Sequence, residues 1–200
     1  MLFRSYQHVF AELEAKQARF LEAQPKFRSP GYRWPKDALH NWSRIWEYPY
    51  VYHHLHRFAA AHPGRRLVAA DVGSGVTFMP FAVADLGYEV CCIDTDPIVG
   101  TDLARAADAL GYPQRQVYYR KTDGTRLPLD DGSLDCLFCI SVLEHVPDPS
   151  ALVDEFRRVL KPDGLLLLTI DLALNNYAEI APPSHARLVR ALQEIGRAHV

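Results

Sequence analysis

LVAADVGSG, residues 67–75, is the stretch of the chain that decides its fold. An apolar run rich in Val and Ala is typical of a buried parallel strand, and the glycines after it predict a tight turn into a helix. Glycine has no Cβ and accepts positive φ, so a ligand can approach such a turn closely. A second predicted strand, 88–93, leads to Asp94, nineteen residues after Gly75. An acid at this spacing can accept hydrogen bonds from the ribose hydroxyls of a nucleoside cofactor.

The glycine pattern separates two kinds of nucleoside cofactor. A dinucleotide fingerprint, Gly-x-Gly-x-x-Gly, requires a third glycine where this chain has Phe78. Asp71-x-Gly73-x-Gly75 instead resembles motif I of the class I S-adenosylmethionine (SAM) methyltransferases, (Asp/Glu)-x-Gly-x-Gly-x-Gly, with Thr77 at the third glycine. SAM carries an ammonium group and no pyrophosphate. Nearby carboxylates and carbonyls therefore suit it, and a helix N-terminus open to a diphosphate is not needed.

A second resemblance begins further along the chain. TDGTRLPLDDGSLD, residues 122–135, is followed by an LEHVPDP turn, a predicted helix and the segment LKPDG. In this order and spacing the blocks resemble the type 11 family of SAM methyltransferases, which includes ubiquinone-type O-methyltransferases. The resemblance covers residues 67–170, about half of the chain. It implies SAM as the cofactor and methyl transfer to a small molecule.

The resemblance also implies which residues bind the cofactor. Beyond Asp94 at the ribose, it places Thr95 against the adenine face. It places Asp123 at the adenine amino group, with Gly124 beside it. The motif I turn and the residue after the predicted fourth strand complete the cofactor-binding set: Asp71, Gly73, Ser74, Gly75 and Ser141.

Strands and helices are predicted to alternate from Leu67 onward. The predicted strands are 67–71, 88–93, 115–121, 134–140 and 164–170, and the predicted helices are 77–86, 97–110, 150–160 and 184–195. This alternation predicts an α/β fold with a doubly wound, mostly parallel Rossmann-like sheet that binds ligands at the carboxyl ends of its strands. Four predicted site residues lie at or just past such ends, which indicates one site: Asp71, Asp94, Asp123 and Ser141.

Residues 1–66 are predicted to form a helical extension, and residues 67–200 the SAM-binding domain. The extension is predicted to contain an amphipathic helix at 5–23 and a linker punctuated by proline at 24–35. A second helical stretch is predicted at 37–46, which Pro49 interrupts or restarts and which then continues to about 61. It holds the three tryptophans and a cluster of Tyr and His residues at 46–56. These aromatic residues are predicted either to form a lid over the methyl acceptor or to pack their helices onto the sheet.

His145 is the candidate general base, because it follows the predicted fourth strand and imidazole suits proton transfer near neutral pH. The alternative is that it packs beneath the cofactor or holds its loop. Glu144 is a second candidate, or an acid that organises this loop. Some relatives bind a divalent metal through Glu-x-x-Glu-His. Here Ser141 replaces the first Glu, and His53 and His56 lack a carboxylate motif, so no metal site is predicted.

Composition favours a cytoplasmic protein without a nucleic-acid or membrane partner, and the family resemblance implies a small-molecule partner. The formal net charge of −2 gives no general attraction to nucleic acid or to an anionic membrane. No apolar run approaches the ~20 residues of a membrane-spanning helix, and the N-terminus lacks a signal-peptide core. Cys136 and Cys139 would point to opposite faces of one strand, too far apart for a disulfide. Together with Cys91 and Cys92 they are predicted to be buried, reduced thiols.

The end of the chain departs from the family pattern. The family adds two strands after the helix that follows strand five, whereas this chain stops at that helix, and residues 195–200 resemble a translated sequencing adapter. A C-terminally truncated chain with strand 164–170 as an open sheet edge is therefore predicted. Two other functions stay open at this point: an NAD-dependent Rossmann oxidoreductase, and a SAM-binding module without catalytic activity.

Overall fold

The computed structural model describes residues 2–36, 38–41, 43–170 and 182–197 of the chain. Two short 3-10 turns, Gln24–Lys26 and Leu143–His145, accompany its helices and strands. In chain order the helices and strands are α1 Leu2–Ala23, α2 Arg44–Ala61, β1 Leu67–Val72, α3 Met79–Ala84, β2 Tyr88–Asp94, α4 Pro97–Leu110, β3 Val117–Lys121, β4 Leu134–Ile140, α5 Pro149–Val159, β5 Leu160–Thr169 and α6 Pro182–Arg197.

The five strands form one parallel sheet in the order β3-β2-β1-β4-β5. The central strand β1 pairs with β2 on one side and with β4 on the other, so that Asp71 lies level with Cys92 and Phe138. The predicted doubly wound parallel sheet is confirmed. Its strand order reverses between β1 and β4, and ligands of such sheets bind outside the carboxyl ends at that point.

Helices cover both faces of the sheet, and each face has its own core. On the first face α1 to α4 pack over side chains such as Val90 and Phe138. On the second face α5 and α6 pack over side chains such as Ala70 and Leu137. Neighbouring residues of one strand therefore alternate between the two cores, as side chains of a strand buried on both faces must.

The cysteines lie within these two cores. Cys136 belongs to the first core and Cys139 to the second, which confirms that the two side chains point to opposite faces. All four cysteines are free and buried, as predicted. Burial raises the pKa of the Cys136 thiol to about 12, so this thiol is a small hydrophobic group rather than a nucleophile.

Two helices begin where Asp-Pro pairs predict them. Asp96 caps α4 by accepting a hydrogen bond from the Ile98 amide (2.9 Å), and α4 ends at Gly111, whose φ is +77°. Asp148 caps α5 by accepting hydrogen bonds from the amides of Ser150 and Ala151 (3.2 Å each). Each pair combines an acidic cap with a proline at the first helical position, where a missing amide costs nothing.

The second helical stretch differs from its prediction. Helix α2 begins at Arg44 and runs without a break through Pro49, whereas a helix over 37–46 and an interruption at Pro49 were predicted. Proline removes one backbone hydrogen bond here, and it is buried together with Tyr48 and Val51. Packing of this apolar face onto the sheet outweighs the lost bond, which a local pattern does not reveal.

Strand β5 also begins earlier than predicted, at Leu160 instead of residue 164. Leu134 of β4 pairs with Leu160, but Cys136 pairs with Leu165, so the LKPDG segment is accommodated as an irregularity in the register. Among the described strands, β5 lies at one edge of the sheet, and α6 packs against α5 with Leu188 buried.

Some predicted features lie outside the described residues: position 37 of the second helical stretch, Trp42 of the aromatic cluster and positions 198–200 of the tail. Within the described helices, none combines the length and the apolar character needed to cross a membrane.

Candidate active site

The carboxyl ends of the strands bring the predicted site residues to one edge of the sheet. Asp71 lies near the end of β1 and Asp94 is the last residue of β2. Asp123 comes two residues after β3, and Ser141 directly follows β4. Because all neighbouring strands are parallel, these ends share one edge, as the sequence predicted.

The glycine turn after β1 is held by the neighbouring strand. The amides of Gly73 and Ser74 donate to the Ile93 carbonyl at 2.8 and 3.3 Å, and both glycines of the motif have positive φ. A Cβ on Gly73 would lie 2.4 Å from Val142 Cγ2, and one on Gly75 would lie 3.0 Å from the Tyr32 hydroxyl. The sequence predicted glycine for approach of a ligand. The structure adds a reason within the protein, since neighbouring side chains already occupy that space.

Asp94 is fixed in direction by two backbone amides. Its Oδ2 accepts from the Gly75 amide at 2.9 Å, and its Oδ1 accepts from the Asp96 amide at 3.0 Å. A carboxylate oxygen can accept more than one hydrogen bond, so both oxygens retain capacity. The side chain can therefore still accept hydrogen bonds from a pair of ribose hydroxyls, which is the role predicted for it.

Asp71 is buried deep at the same edge, with 5% of its surface exposed. Burial raises the pKa of this carboxyl well above its ordinary value, and the nearby charge of Asp94 raises it further, whereas Arg44 opposes the shift. Additional positive charge close to this acid would stabilise its ionised form. The ammonium and sulfonium groups of SAM would supply such charge.

Asp123 occupies the opposite kind of environment at the exposed end of the site. Its Oδ1 accepts from the Thr125 hydroxyl (2.7 Å), the Thr125 amide (2.9 Å) and the Arg126 amide (3.2 Å). The hydroxyl bond contributes most to lowering the pKa of Asp123 to about 2. None of these three bonds uses Oδ2, so this oxygen can accept a proton donor such as the adenine amino group.

Thr95 and Asp123 line a common open cavity of about 750 Å³. Gly124 lies beside it, because a Cβ at this position would be 3.6 Å from Thr95 Cγ2. The far wall is formed by the loop between β3 and β4, with Leu127 and Leu129 among its residues. This cavity is the predicted adenine end of the site.

An ion pair from the helical extension reaches the end of β4. Ser141 has a φ of +47°, its hydroxyl donates to Glu47 Oε1 (2.7 Å), and Arg44 Nη1 donates to the same hydroxyl (2.8 Å). Arg44 Nη1 also bonds Glu47 Oε2, and the Glu47 side chain is fully buried. Neither Arg44 nor Glu47 was predicted as a site residue. They lie more than 90 positions from Ser141, and no local motif marks them.

The linker after α1 is tied to the glycine turn. We name residues 24–35 the strap. Its Arg28 donates from Nη2 to the Val76 carbonyl (3.0 Å), and its Tyr32 hydroxyl accepts from the Val76 amide (2.8 Å). The amide and hydroxyl of Ser29 both donate to the buried Asp102 carboxylate of α4. The strap therefore covers the turn that carries Gly73 and Gly75, which its composition did not indicate.

The two predicted catalytic residues lie in the 3-10 turn after β4. His145 is exposed, whereas Glu144 is buried with 6% of its surface accessible. His145 thus has an accessible side chain near the end of β4, and its role as a base stays a prediction. Within the described ranges, no group of three or more His, Cys, Asp or Glu side chains could hold a metal ion.

The aromatic cluster of α2 divides between two surroundings. Tyr48 and Tyr52 are buried in the first core, and the Tyr88 hydroxyl of β2 donates to the Leu55 carbonyl of α2 (2.8 Å). Trp46 is 53% exposed, and its ring lies 6.5 Å from that of Tyr50. Packing of α2 onto the sheet thus accounts for the buried tyrosines, while a lid function for the exposed residues stays a prediction.

This sheet order, the glycine turn after β1 and the acids at the ends of β1, β2 and β3 define the fold of the class I methyltransferases. Residues 70–168 match the family described as a methyltransferase domain. The chain therefore carries a domain of this methyltransferase family, as its motifs predicted.

Curated relatives support this assignment. A protein named an uncharacterized methyltransferase, from Mycobacterium sp. (strain JLS), is 37% identical over 115 residues, which cover 58% of this chain and 42% of the relative. The ubiquinone biosynthesis O-methyltransferase of Xanthomonas oryzae pv. oryzae (strain PXO99A) is 38% identical over 101 residues, covering 50% of this chain and 41% of the relative. The chain thus spans about two fifths of the length of the curated relatives it matches.

Solved structures agree on the fold. A SAM-dependent methyltransferase from Aquifex aeolicus superimposes with a TM-score of 0.54 at 18% identity, covering 71% of this chain and 78% of that one. The [4+2]-cyclase SpnF superimposes with a TM-score of 0.61 at 20% identity, covering 92% of this chain and 70% of that one. At these identities the likeness concerns the fold alone.

Proposed function

We propose that the protein binds SAM at this edge of the sheet and transfers its methyl group to an oxygen or nitrogen atom of a small molecule. The observation that carries the proposal is Asp94, which is held by the Gly75 amide (2.9 Å) at the end of β2, inside a domain of the methyltransferase family. In this arrangement Asp94 binds the ribose, Asp123 and Thr95 hold the adenine, and Asp71 faces the cationic methionine end.

The residues of the site fit SAM by their chemistry. The cofactor supplies an activated methyl group on a sulfonium, together with its own leaving group. The protein then has to hold the acceptor in line with that methyl group and to exclude water. Asp71 and Asp94 favour a cationic ligand at the methionine end, and the strap with Tyr32 closes over the glycine turn.

A hydroxyl acceptor must also lose a proton as the new bond forms, and a protonated amine must lose one before its nitrogen can attack the methyl group. His145 is the proposed base, since it is exposed just beyond β4. Glu144, buried beside it, orients the turn. The name of the Xanthomonas relative supports an oxygen acceptor. We propose a small-molecule partner in the cytoplasm, no nucleic-acid or membrane partner, and no metal requirement.

Calorimetric titration with S-adenosylhomocysteine (SAH), the demethylated product, tests cofactor binding without knowledge of the acceptor. Asp94→Ala serves as the site variant, and NAD titrated under the same conditions tests the dinucleotide alternative. We expect saturable binding of SAH that is weakened in the variant, and no binding of NAD. Incubation of a metabolite extract with labelled SAM then tests transfer. Binding of SAH without any labelled product would indicate a SAM-binding module and contradict the proposed activity.

A further inference from the structure

Arg158 of α5 uses every N–H of its guanidinium. Nε and Nη2 donate to the two carboxylate oxygens of Glu155 (2.8 and 2.7 Å). Nη1 donates to the Leu129 carbonyl (2.8 Å) and to Asp131 Oδ1 (2.7 Å), and Nη2 also donates to the Leu127 carbonyl (3.0 Å). A guanidinium carries five N–H donors, so the side chain is fully bonded. Three of these bonds end on the loop between β3 and β4.

Glu155 also forms a hydrogen bond with this loop. Its Oε2 accepts from the Leu127 amide at 2.9 Å, while Arg158 donates to the Leu127 carbonyl. Both backbone polar groups of Leu127 are therefore bonded by one side-chain pair on α5, in the way that a neighbouring strand would bond them. The Leu127 side chain is itself buried in the second core, with 1% of its surface exposed.

The loop that Arg158 and Glu155 bind forms the far wall of the cavity lined by Thr95 and Asp123. Leu127, Pro128, Leu129 and Asp130 all line this cavity. The turn that holds Asp123 ends at Arg126, one residue before Leu127. The position of Asp123 Oδ2 and the width of the cavity therefore depend on where Arg158 and Glu155 hold Leu127.

We infer that Arg158 and Glu155 are positioning residues for base recognition: they hold the loop that sets how selectively the site takes adenine. The inference rests on the proposed SAM function. Neither side chain lines the cavity. Both act through the Leu127 and Leu129 backbone, and Asp123 is the group expected to accept the adenine amino proton. A purely stabilising role would change the stability of the fold without changing selectivity between bases.

Replacing Arg158 with lysine gives the most specific test of this inference. It keeps the positive charge but has three donors on a flexible stem instead of a planar fork of five. Arg158→Lys can retain an ion pair with Glu155, but it cannot bond Leu127, Leu129 and Asp131 at once. Arg65→Lys is the matched control, because Arg65 precedes β1 and donates to the buried Asp135 near the start of β4 (2.9 Å), at the amino ends of the strands.

The experiment compares two ligands by calorimetry: SAH, and its analogue with hypoxanthine in place of adenine. Hypoxanthine presents a carbonyl oxygen where adenine presents its amino group, so Asp123 should disfavour it. We expect wild type to prefer SAH, Arg158→Lys to bind SAH about 10-fold more weakly, and its preference to fall by about 5-fold. Arg65→Lys should leave both the affinity for SAH and the preference for adenine unchanged. Glu155→Gln, which keeps the shape of the side chain, should follow Arg158→Lys in direction.

The outcomes separate this inference from the proposed function. If wild type does not bind SAH at all, both are overturned. If wild type binds SAH but the preference for adenine is unchanged in Arg158→Lys and Glu155→Gln, the proposed function stands and the inference is overturned. If Arg65→Lys loses the same preference, loss of stability is the cause and the inference is likewise overturned. Melting temperatures measured on all variants identify that case. Should Arg158→Lys not fold, Glu155→Gln alone decides.

Discussion

Asp71 and Asp123 stand at the same edge of one sheet, yet their surroundings are opposite. Asp71 is 5% exposed, and burial raises its pKa well above the ordinary value. Asp123 is exposed, and hydrogen bonds led by that from the Thr125 hydroxyl lower its pKa to about 2. Both carboxyls follow strands of a parallel sheet. The difference arises from what covers each strand end.

The comparison shows how one edge can bind the two ends of an extended ligand in different ways. At the inner end, helix α2 and the strap exclude water, so the charge of Asp71 is costly without a cation beside it. At the outer end, the loop around Asp123 keeps the carboxylate ionised and solvated, with one oxygen left for a donor. We therefore expect the inner end to select for charge and the outer end to select for the hydrogen-bonding pattern of a base.

The largest effect is expected at Asp94, which lies between the two ends. Asp94→Ala removes the proposed acceptor of the ribose hydroxyls and the partner of the Gly75 amide. We expect SAH to bind more weakly by about 1.5–3 kcal/mol, the range for hydrogen bonds to a charged group. Calorimetry measures the loss, with Asp108→Ala on the exposed face of α4 as the control. An unchanged affinity would remove Asp94 from the site.

Asp71→Asn sharpens the comparison by removing the buried charge. The native chain keeps the Asp71 proton to a higher pH than the unfolded chain does, so between the two pKa values it binds more protons. Its free energy of unfolding therefore falls as pH rises from about 4, the unfolded pKa, through the raised native pKa. The asparagine variant lacks this loss.

We expect the asparagine variant to melt a few degrees above wild type at about pH 8 and level with it at about pH 4, since about 1 kcal/mol corresponds to 2–4 °C in a chain of this size. The same variant should bind SAH more weakly. Differential scanning calorimetry at the two pH values is the measurement, and equal melting temperatures at the higher pH would contradict the raised pKa.

Tyr32→Phe tests the cover of the inner end. The variant keeps the ring beneath the Arg28 guanidinium, whose centre lies 4.2 Å from the ring centroid, but leaves the Val76 amide without its partner. We expect a loss of about 1 kcal/mol in the free energy of unfolding, as for one buried hydrogen bond. Chemical denaturation measures the loss. A variant as stable as wild type would show that the hydrogen bond between Tyr32 and Val76 does not stabilise the fold.

Asp123→Asn is expected to have the smallest effect on stability, because the side chain is exposed. It should leave the melting temperature almost unchanged and reduce the preference for adenine over hypoxanthine, since an amide can donate to the hypoxanthine carbonyl. Competition between SAH and its hypoxanthine analogue measures this preference. A preference equal to that of wild type would show that Asp123 does not read the base.

Local signals predicted most of the sheet and the strand ends of the site. Helix α4 was predicted at its observed bounds, with Asp96-Pro97 marking its start, and β4 was predicted over its observed residues 134–140. The placement of Asp71, Asp94 and Asp123 followed from the alternation of strands and helices alone. The steric need for glycine at position 73 could not be predicted in this way, because the side chain that occupies the space, Val142, follows a different strand.

The parts that could not be predicted depend on contacts between distant segments. Arg28 and Tyr32 reach Val76 across more than 40 positions, and Glu47 reaches Ser141 across 94. A linker punctuated by proline gives no sign of what it will cover. The continuous helix through Pro49 also depends on distant contacts. Its tertiary packing outweighs the local tendency of proline to interrupt a helix.

The bond between Glu47 and Ser141 also constrains how the chain can fold while it is being synthesised. Helix α2 leaves the ribosome early, but the partner of its buried carboxylate is made 94 residues later. Until then the apolar face of α2, with Val51 and Leu55, has neither β4 nor β5 to cover it. At synthesis rates of about 5–20 residues per second this interval lasts on the order of 5–20 s. During that time the apolar face of α2 can pack only against segments that have already been made, such as α1 and α3.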